Sequence, residues 1–151
     1  MADLGKLERT DERKATDGIV VPYKADITFR IAKMFNPRYN ARSRELGQGA
    51  YRPRLRAGGK MAQEAAEEML TQLAAETLLL DWSHVEIDGE PLPYSVENAM
   101  RILREFPDVR RFVIETAAES EPYRLRDDEE AVGNSAAPSG GTSGGARKNN
   151  G

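Results

Sequence analysis

The sequence predicts an α+β fold: a small domain with three main helices, a short N-terminal strand and hairpin sheet, and disordered termini. Three patterns lead to it. Between Ile19 and Ala32 apolar and polar residues alternate, the period of a half-buried strand. From Met61 onward apolar residues recur at spacings of three and four, the period of an amphipathic helix. The N-terminal end is too charged, and the C-terminal end too polar and glycine-rich, to bury a core. With 151 residues, 39% of them hydrophobic, the chain has room for one modest domain.

Residues 1–17 carry charges of both signs and few large apolar groups, which predicts a mobile N-terminal arm. Residues 18–126 form the predicted domain. In its opening segment Val21 and Tyr23, then Ile27, Phe29 and Ile31, point to one face, and Pro22 marks an edge or a break between two short strands. Asn36-Pro37 reads as a turn that ends the strand. Residues 38–60 have neither period and hold seven basic groups, including Arg52, Arg54 and Arg56, against the single acid Glu45. With Gly47, Gly49, Gly58 and Gly59 they predict a flexible basic loop.

The clearest helix runs from Met61 to Leu80, with Ala62, Ala66, Met69 and Leu73 on its apolar stripe. Trp82, Val85 and Ile87 then lead to Asp88-Gly89, a tight-turn signal in which Gly89 supplies positive φ. Ser95 is placed to cap a second helix that carries Val96, Ala99, Met100, Leu103 and Phe106. Pro107 stops that helix, and Asp108 is expected to cap a third with Val109, Phe112, Val113 and Ala117 on one face. Beyond Tyr123 an acidic run gives way to a Gly/Ser-rich stretch, which predicts a disordered tail over 127–151.

The segment 76–124 is similar to the tail assembly chaperones of long-tailed bacteriophages and related prophage elements. The resemblance rests on Leu79, Asp81, Trp82, Val85, Asp88-Gly89, Leu92, Pro93-Tyr94-Ser95, Leu103, Pro107-Asp108, Phe112-Val113 and Tyr123. The strand and Asn-Pro stop of residues 25–40 resemble the same family's entry. Trp82, Gly89, Tyr94, Ser95, Pro107 and Asp108 form a folding signature: a core residue, a turn, caps and a helix break.

Other chemistry finds little support in the residues. The chain has no cysteine and one histidine, which removes disulfides, thiolate nucleophiles and cysteine-based zinc sites. His84 lies near Asp81, Glu86, Asp88 and Glu90, but no partner set stands at metal-ligand spacing and the acids read as a solvated face. Gly58-Gly59-Lys60 lacks the remainder of a phosphate loop. No catalytic, metal-binding or cofactor-binding residue is therefore expected, and no cofactor: the protein reads as non-enzymatic. A net charge of −3 argues against nucleic acid as the main partner of the whole chain. No apolar run is long enough to span a membrane, and no secretory leader is evident.

The resemblance implies a protein that binds the tape measure protein and keeps it soluble while tail tube subunits polymerise around it. It would act in the host cytoplasm and be absent from the mature virion. The tail tube protein and a second copy of the chain are secondary partners. In this mechanism Arg52, Arg54 and Arg56 supply electrostatic attachment, and Met69, Met100 and Phe112 line an adaptable groove. The alternatives are a small nucleic-acid-binding regulatory module acting through residues 38–60, or a structural tail component.

Overall fold

The computed structural model describes Met1 and residues 3–125. The predicted tail over 127–151 lies outside the described residues. The fold is α+β, with helices α1 (Glu12–Asp17), α2 (Pro37–Gln48), α3 (Arg52–Ala57), α4 (Gly59–Leu73), α5 (Val96–Glu105) and α6 (Pro107–Ala118). Its strands are β1 (Ile19–Pro22), β2 (Thr28–Ile31), β3 (Leu79–Ser83), β4 (Glu86–Ile87) and β5 (Glu90–Pro91). Two compact units are present. The larger is Asp11–Tyr123; the described residues of the smaller are Met1, 3–10, Arg124 and Leu125. None of the described helices is long and apolar enough to cross a membrane.

In the smaller unit Thr10 bridges Arg124, the Leu125 amide donates to the Arg9 carbonyl at 2.7 Å, and Arg124 meets Glu8 at 2.6 Å. Residues 12–17, expected within the N-terminal arm, instead form α1 of the larger unit. Asp11 caps α1 by accepting from the amides of Arg13 and Lys14, and Ala15 is buried. One small buried residue and a cap hold this turn, too faint a pattern to stand out among its charges.

β1 and β2 form the expected hairpin, and β3 adds to β2 in an antiparallel sheet of order β1-β2-β3. Phe29 and Ile31 point inward, as their alternation predicts. β3 replaces the predicted end of the long helix. α4 stops at Leu73, Ala74–Leu78 makes a π-helical turn, and Leu79-Leu80 are already strand. Periodicity cannot place that boundary, because a short apolar run such as Leu78–Leu80 fits a buried helix and a buried strand equally. All of the turn but Glu76 is embedded: Ala74, Ala75, Thr77 and Leu78 are buried, with the Thr77 hydroxyl donating to the Leu73 carbonyl.

β4 and β5 form the predicted two-residue hairpin, with φ of 52° at Asp88 and 82° at Gly89. Positive φ at both central residues is the type I′ geometry that matches strand twist. Trp82 donates its indole N–H to the Leu92 carbonyl at 2.7 Å and packs edge-on against Tyr94. Tyr94 donates its hydroxyl to the Leu79 carbonyl at 2.7 Å, so the Trp82, Leu92 and Tyr94 elements clamp the hairpin onto β3. Ser95 caps α5 by accepting from the Asn98 amide at 3.0 Å. Asp108 differs from its predicted role. Pro107 takes the first position of α6, Phe106 occupies the cap without a side-chain bond, and Asp108 sits in the first turn, paired with Arg111 at 3.0 Å. Its negative charge still favours the helix N-terminus.

The largest departure concerns residues 38–60, predicted as a loop. They are mostly helical, forming α2, α3 and the start of α4. Asn36-Pro37 is a helix start: the Asn36 side chain accepts from the Tyr39 amide at 3.0 Å, and Pro37 stands at the first position. Buried Asn36 also donates to the Lys33 and Thr77 carbonyls, which locks α2 to the end of the π turn. α2 buries only Tyr39 and Leu46, two turns apart, too sparse a stripe to register as a helical period.

Candidate functional site

Docking of α2 and α3 on α4 decides where the basic residues of 38–60 point. The Arg42 Nε donates to Glu76 at 2.6 Å, and its Nη1 donates to Glu45 at 3.1 Å. Gln72 also donates to Glu76 at 2.8 Å and accepts from the Tyr51 hydroxyl at 2.8 Å. Arg38 reaches the Glu76 backbone carbonyl at 3.2 Å. Burial alone would raise the Glu76 carboxyl pKa; the bonds from Arg42 and Gln72 outweigh it and hold the group below the ordinary carboxylate range. Arg54 makes a two-pronged contact with Glu68, at 3.0 and 2.7 Å, and lies over the Tyr51 ring. The hydrogen bond from Arg54 lowers the Glu68 carboxyl pKa.

Glu76→Gln is expected to destabilise the protein by about 1–2 kcal/mol at neutral pH, because a charge-assisted bond network is removed. A carboxyl held low in the folded state contributes stability above its unfolded pKa of about 4.3, and that stability is lost as pH falls further. Parent and variant should therefore converge in urea melts as pH drops below ~4. A gap that stays constant with pH would assign the cost to packing instead.

The six residues predicted to bind a partner separate into three places. Arg52, Arg54 and Arg56 lie on α3, where Arg52 and Arg56 are exposed and Arg54 is engaged with Glu68. Met69 and Met100 are partly buried against the hydrophobic core. Phe112 belongs to an aromatic cluster, with its ring 4.8 Å from Tyr23 and 6.3 Å from Phe29.

A different surface forms a groove. It lies between α4 on one side and α5 and α6 on the other, and consists of two open hollows that share Arg110. One, of about 280 Å³, is lined by Glu64, Glu67, Glu68, Thr71, Leu103, Arg104 and Arg110. The other, of about 340 Å³, adds Leu70, Pro107, Arg111, Ile114 and Glu115. Half-buried Leu70 and Ile114 make an apolar floor, with the fully buried Leu103 beneath it. None of Met69, Met100 and Phe112 lines these hollows. Helical spacing predicts Leu103 on an apolar face, but nothing in the local pattern sets Glu67, Arg104 or Arg110 apart from other surface charges.

The groove residues and the Trp82-to-Tyr123 signature fall inside one matched region. Residues 34–134, more than half of the chain, match the sequence profile of the YdaY prophage protein family. The chain belongs to the YdaY prophage protein family. No curated protein and no solved structure is significantly similar to it. The match takes in α2 through α6, so the basic helices of this YdaY-family protein belong to the family region together with the groove. His84 is exposed, with a φ of 62°, in the turn after β3. Among the described residues no group of three His, Cys, Asp or Glu side chains is arranged to hold a metal ion.

Proposed function

We propose that this prophage protein is a tail assembly chaperone that binds the tape measure protein and keeps it soluble while tail tube subunits polymerise around it. The observation that carries the reading is the groove between α4, α5 and α6. An open recess with an apolar floor and charged rims suits the apolar stripe of a helix, whose anchors recur every three or four residues. The chain's resemblance to tail assembly chaperones and its place in a prophage family make a tape measure helix the partner of choice.

The size of the groove fits repeated use. Its α4 wall runs from Glu64 to Thr71, roughly 10 Å along the helix axis, or about two turns of a partner. A contact of that size binds weakly by itself. Many copies along one long helix shield it collectively, yet each is displaceable when the tube closes over it. In this mechanism the protein is not an enzyme, works in the host cytoplasm and leaves before the virion is complete.

Co-expression with the tape measure protein of the same prophage, followed by size-exclusion chromatography with light scattering at two salt concentrations, tests the reading. The expected result is a soluble complex with several copies of this chain per partner, retained at the higher salt. A partner equally insoluble with and without the chain would overturn it. Binding to nucleic acid that collapses as salt rises would favour the regulatory alternative through α2 and α3. Recovery of the chain in purified particles would favour a structural tail component.

A further inference from the structure

The two rims of the groove differ in sign. α4 contributes Glu64, Glu67 and Glu68, whereas α5 and α6 contribute Arg104, Arg110 and Arg111. Glu115 on α6 is the acid on the second side. Among the described residues no salt bridge crosses from one rim to the other, although the Arg104 charge acts on Glu68 across the hollow. Glu68 is held by Arg54 on α3 and Arg111 by Asp108 on its own helix, while Glu64 has only a loose 3.9 Å contact with Lys60. Glu67, Arg104 and Arg110 have no salt bridge among the described residues. Arg110 is the most exposing case: its Nε is buried and bonds to no protein acceptor. A buried donor without an acceptor is costly, and a guanidinium is best satisfied by a carboxylate that can meet two of its N–H groups. The Nε itself is closed to a partner, but the half-buried Arg110 side chain lines both hollows and is paired with no acid among the described residues, so the rest of its guanidinium is available there to an anionic oxygen.

We infer that the groove selects an amphipathic helix whose apolar stripe is flanked by carboxylates on one side and by lysine or arginine on the other, with a partner carboxylate completing Arg110. The inference rests on the helix-binding reading and specifies its partner chemistry. A helix with one sign of charge on both flanks would meet repulsion along one rim. A helix with uncharged flanks would fill the floor and leave Arg110 unmet. Opposite rims also orient the bound helix, since reversing its direction exchanges its flanks. Successive copies would therefore all face the same way along one partner.

Synthetic helical peptides of about 20 residues, long enough to hold a helix, test this with the full chain. One carries an apolar stripe with acidic and basic flanks, and the others carry the same stripe with all-glutamine, all-acidic or all-basic flanks. Fluorescence anisotropy should show the split-charge peptide binding about tenfold more tightly than the glutamine peptide, with both single-sign peptides weaker than the split form. Arg110→Met retains the apolar stem but removes the donors. It should bring the split-charge peptide close to the glutamine level, leave glutamine-peptide binding unchanged, and not lower the melting temperature. Equal binding of all four peptides, binding of none, or an equal loss for every peptide in Arg110→Met would overturn the inference. A soluble tape measure complex with flank-independent peptide binding would sink the inference and leave the chaperone reading standing. Flank selectivity without a tape measure complex would do the reverse.

Discussion

Replacing Tyr123 by alanine is expected to lower stability by about 3–5 kcal/mol, a large share of the ~5–15 kcal/mol available to a small domain. The Tyr123 ring is fully buried, and its hydroxyl donates to the Ile31 carbonyl at 3.0 Å, joining residues 92 apart in sequence. Its own carbonyl accepts from the Asp11 amide at 2.7 Å at the start of α1. Truncation would open a cavity and leave the Ile31 carbonyl without this donor. Tyr123→Phe retains the ring and should cost only about 1–1.5 kcal/mol, the hydrogen bond alone. Urea melts of both variants check the difference; equal losses would show that the ring contributes nothing beyond its hydroxyl.

The same residue sets a pH limit. Burial pushes the Tyr123 phenol pKa well above its ordinary value, and the charge of Glu119 adds to the shift. Burial likewise raises Tyr39, and it raises Tyr94 together with the charge of Asp81. For an acid whose folded pKa is raised, the contribution is intact below the unfolded pKa of about 10 and is lost as pH rises above it. Stability should therefore fall steeply in alkali, and less steeply in Tyr123→Phe than in the parent. Parallel curves for the two proteins would exclude Tyr123 as a source of the alkaline loss.

The parts of the fold legible in the sequence are those fixed by local pattern. α4 and α5 show a helical period, Ser95 has the chemistry of a cap, Asp88-Gly89 that of a turn, and Phe29 and Ile31 the alternation of a strand. α2 was illegible because its buried face is only Tyr39 and Leu46, and its remaining support is tertiary: Arg42 on Glu76, and Asn36 on the carbonyls of Lys33 and Thr77. Asn36-Pro37 has two meanings, a turn or a cap with proline at the first helical position, and α4 packing behind it selects the second. The Leu79–Ser83 strand needed a partner in β2, about 50 residues upstream, which no local window contains.

The groove divides along the same line. Leu103, buried beneath its floor, follows from spacing, but its rims do not. The sequence shows the basic density of 38–60 without showing that Arg54 is engaged with Glu68 and Arg42 with Glu76. The pairing leaves Arg110, an ordinary surface arginine by its neighbours, with a buried nitrogen that bonds to no acceptor. Charge in a sequence counts groups; only packing decides which of them are still available to a partner.

Gly18→Ala should have the second-largest effect, about 2–4 kcal/mol, and for a reason that separates two costs. Gly18 ends α1 at a φ of 83°, where its amide donates to the Lys14 carbonyl at 3.0 Å, and β1 begins at the next residue. With ψ at 164° Gly18 occupies a backbone region that essentially only glycine adopts, so any Cβ there costs about 1–3 kcal/mol. At Gly18 the added carbon would also stand 2.9 Å from Cγ of Arg30 and 3.2 Å from the backbone carbonyl carbon and oxygen of Ile31. Arg30 Cγ is close to the main chain and Ile31 is part of the sheet, so relief requires α1 to shift away from β2. Gly89 offers a positive φ without crowding: its φ is 82° in a type I′ turn, and an added Cβ would have no atom within 4 Å. Gly89→Ala should therefore lose only about 1–2 kcal/mol, and the excess in Gly18→Ala combines its rarer backbone conformation with the close approach of α1 to the sheet. Equal losses in thermal melts would mean that α1 yields freely, and that its contact with β2 contributes little to the fold.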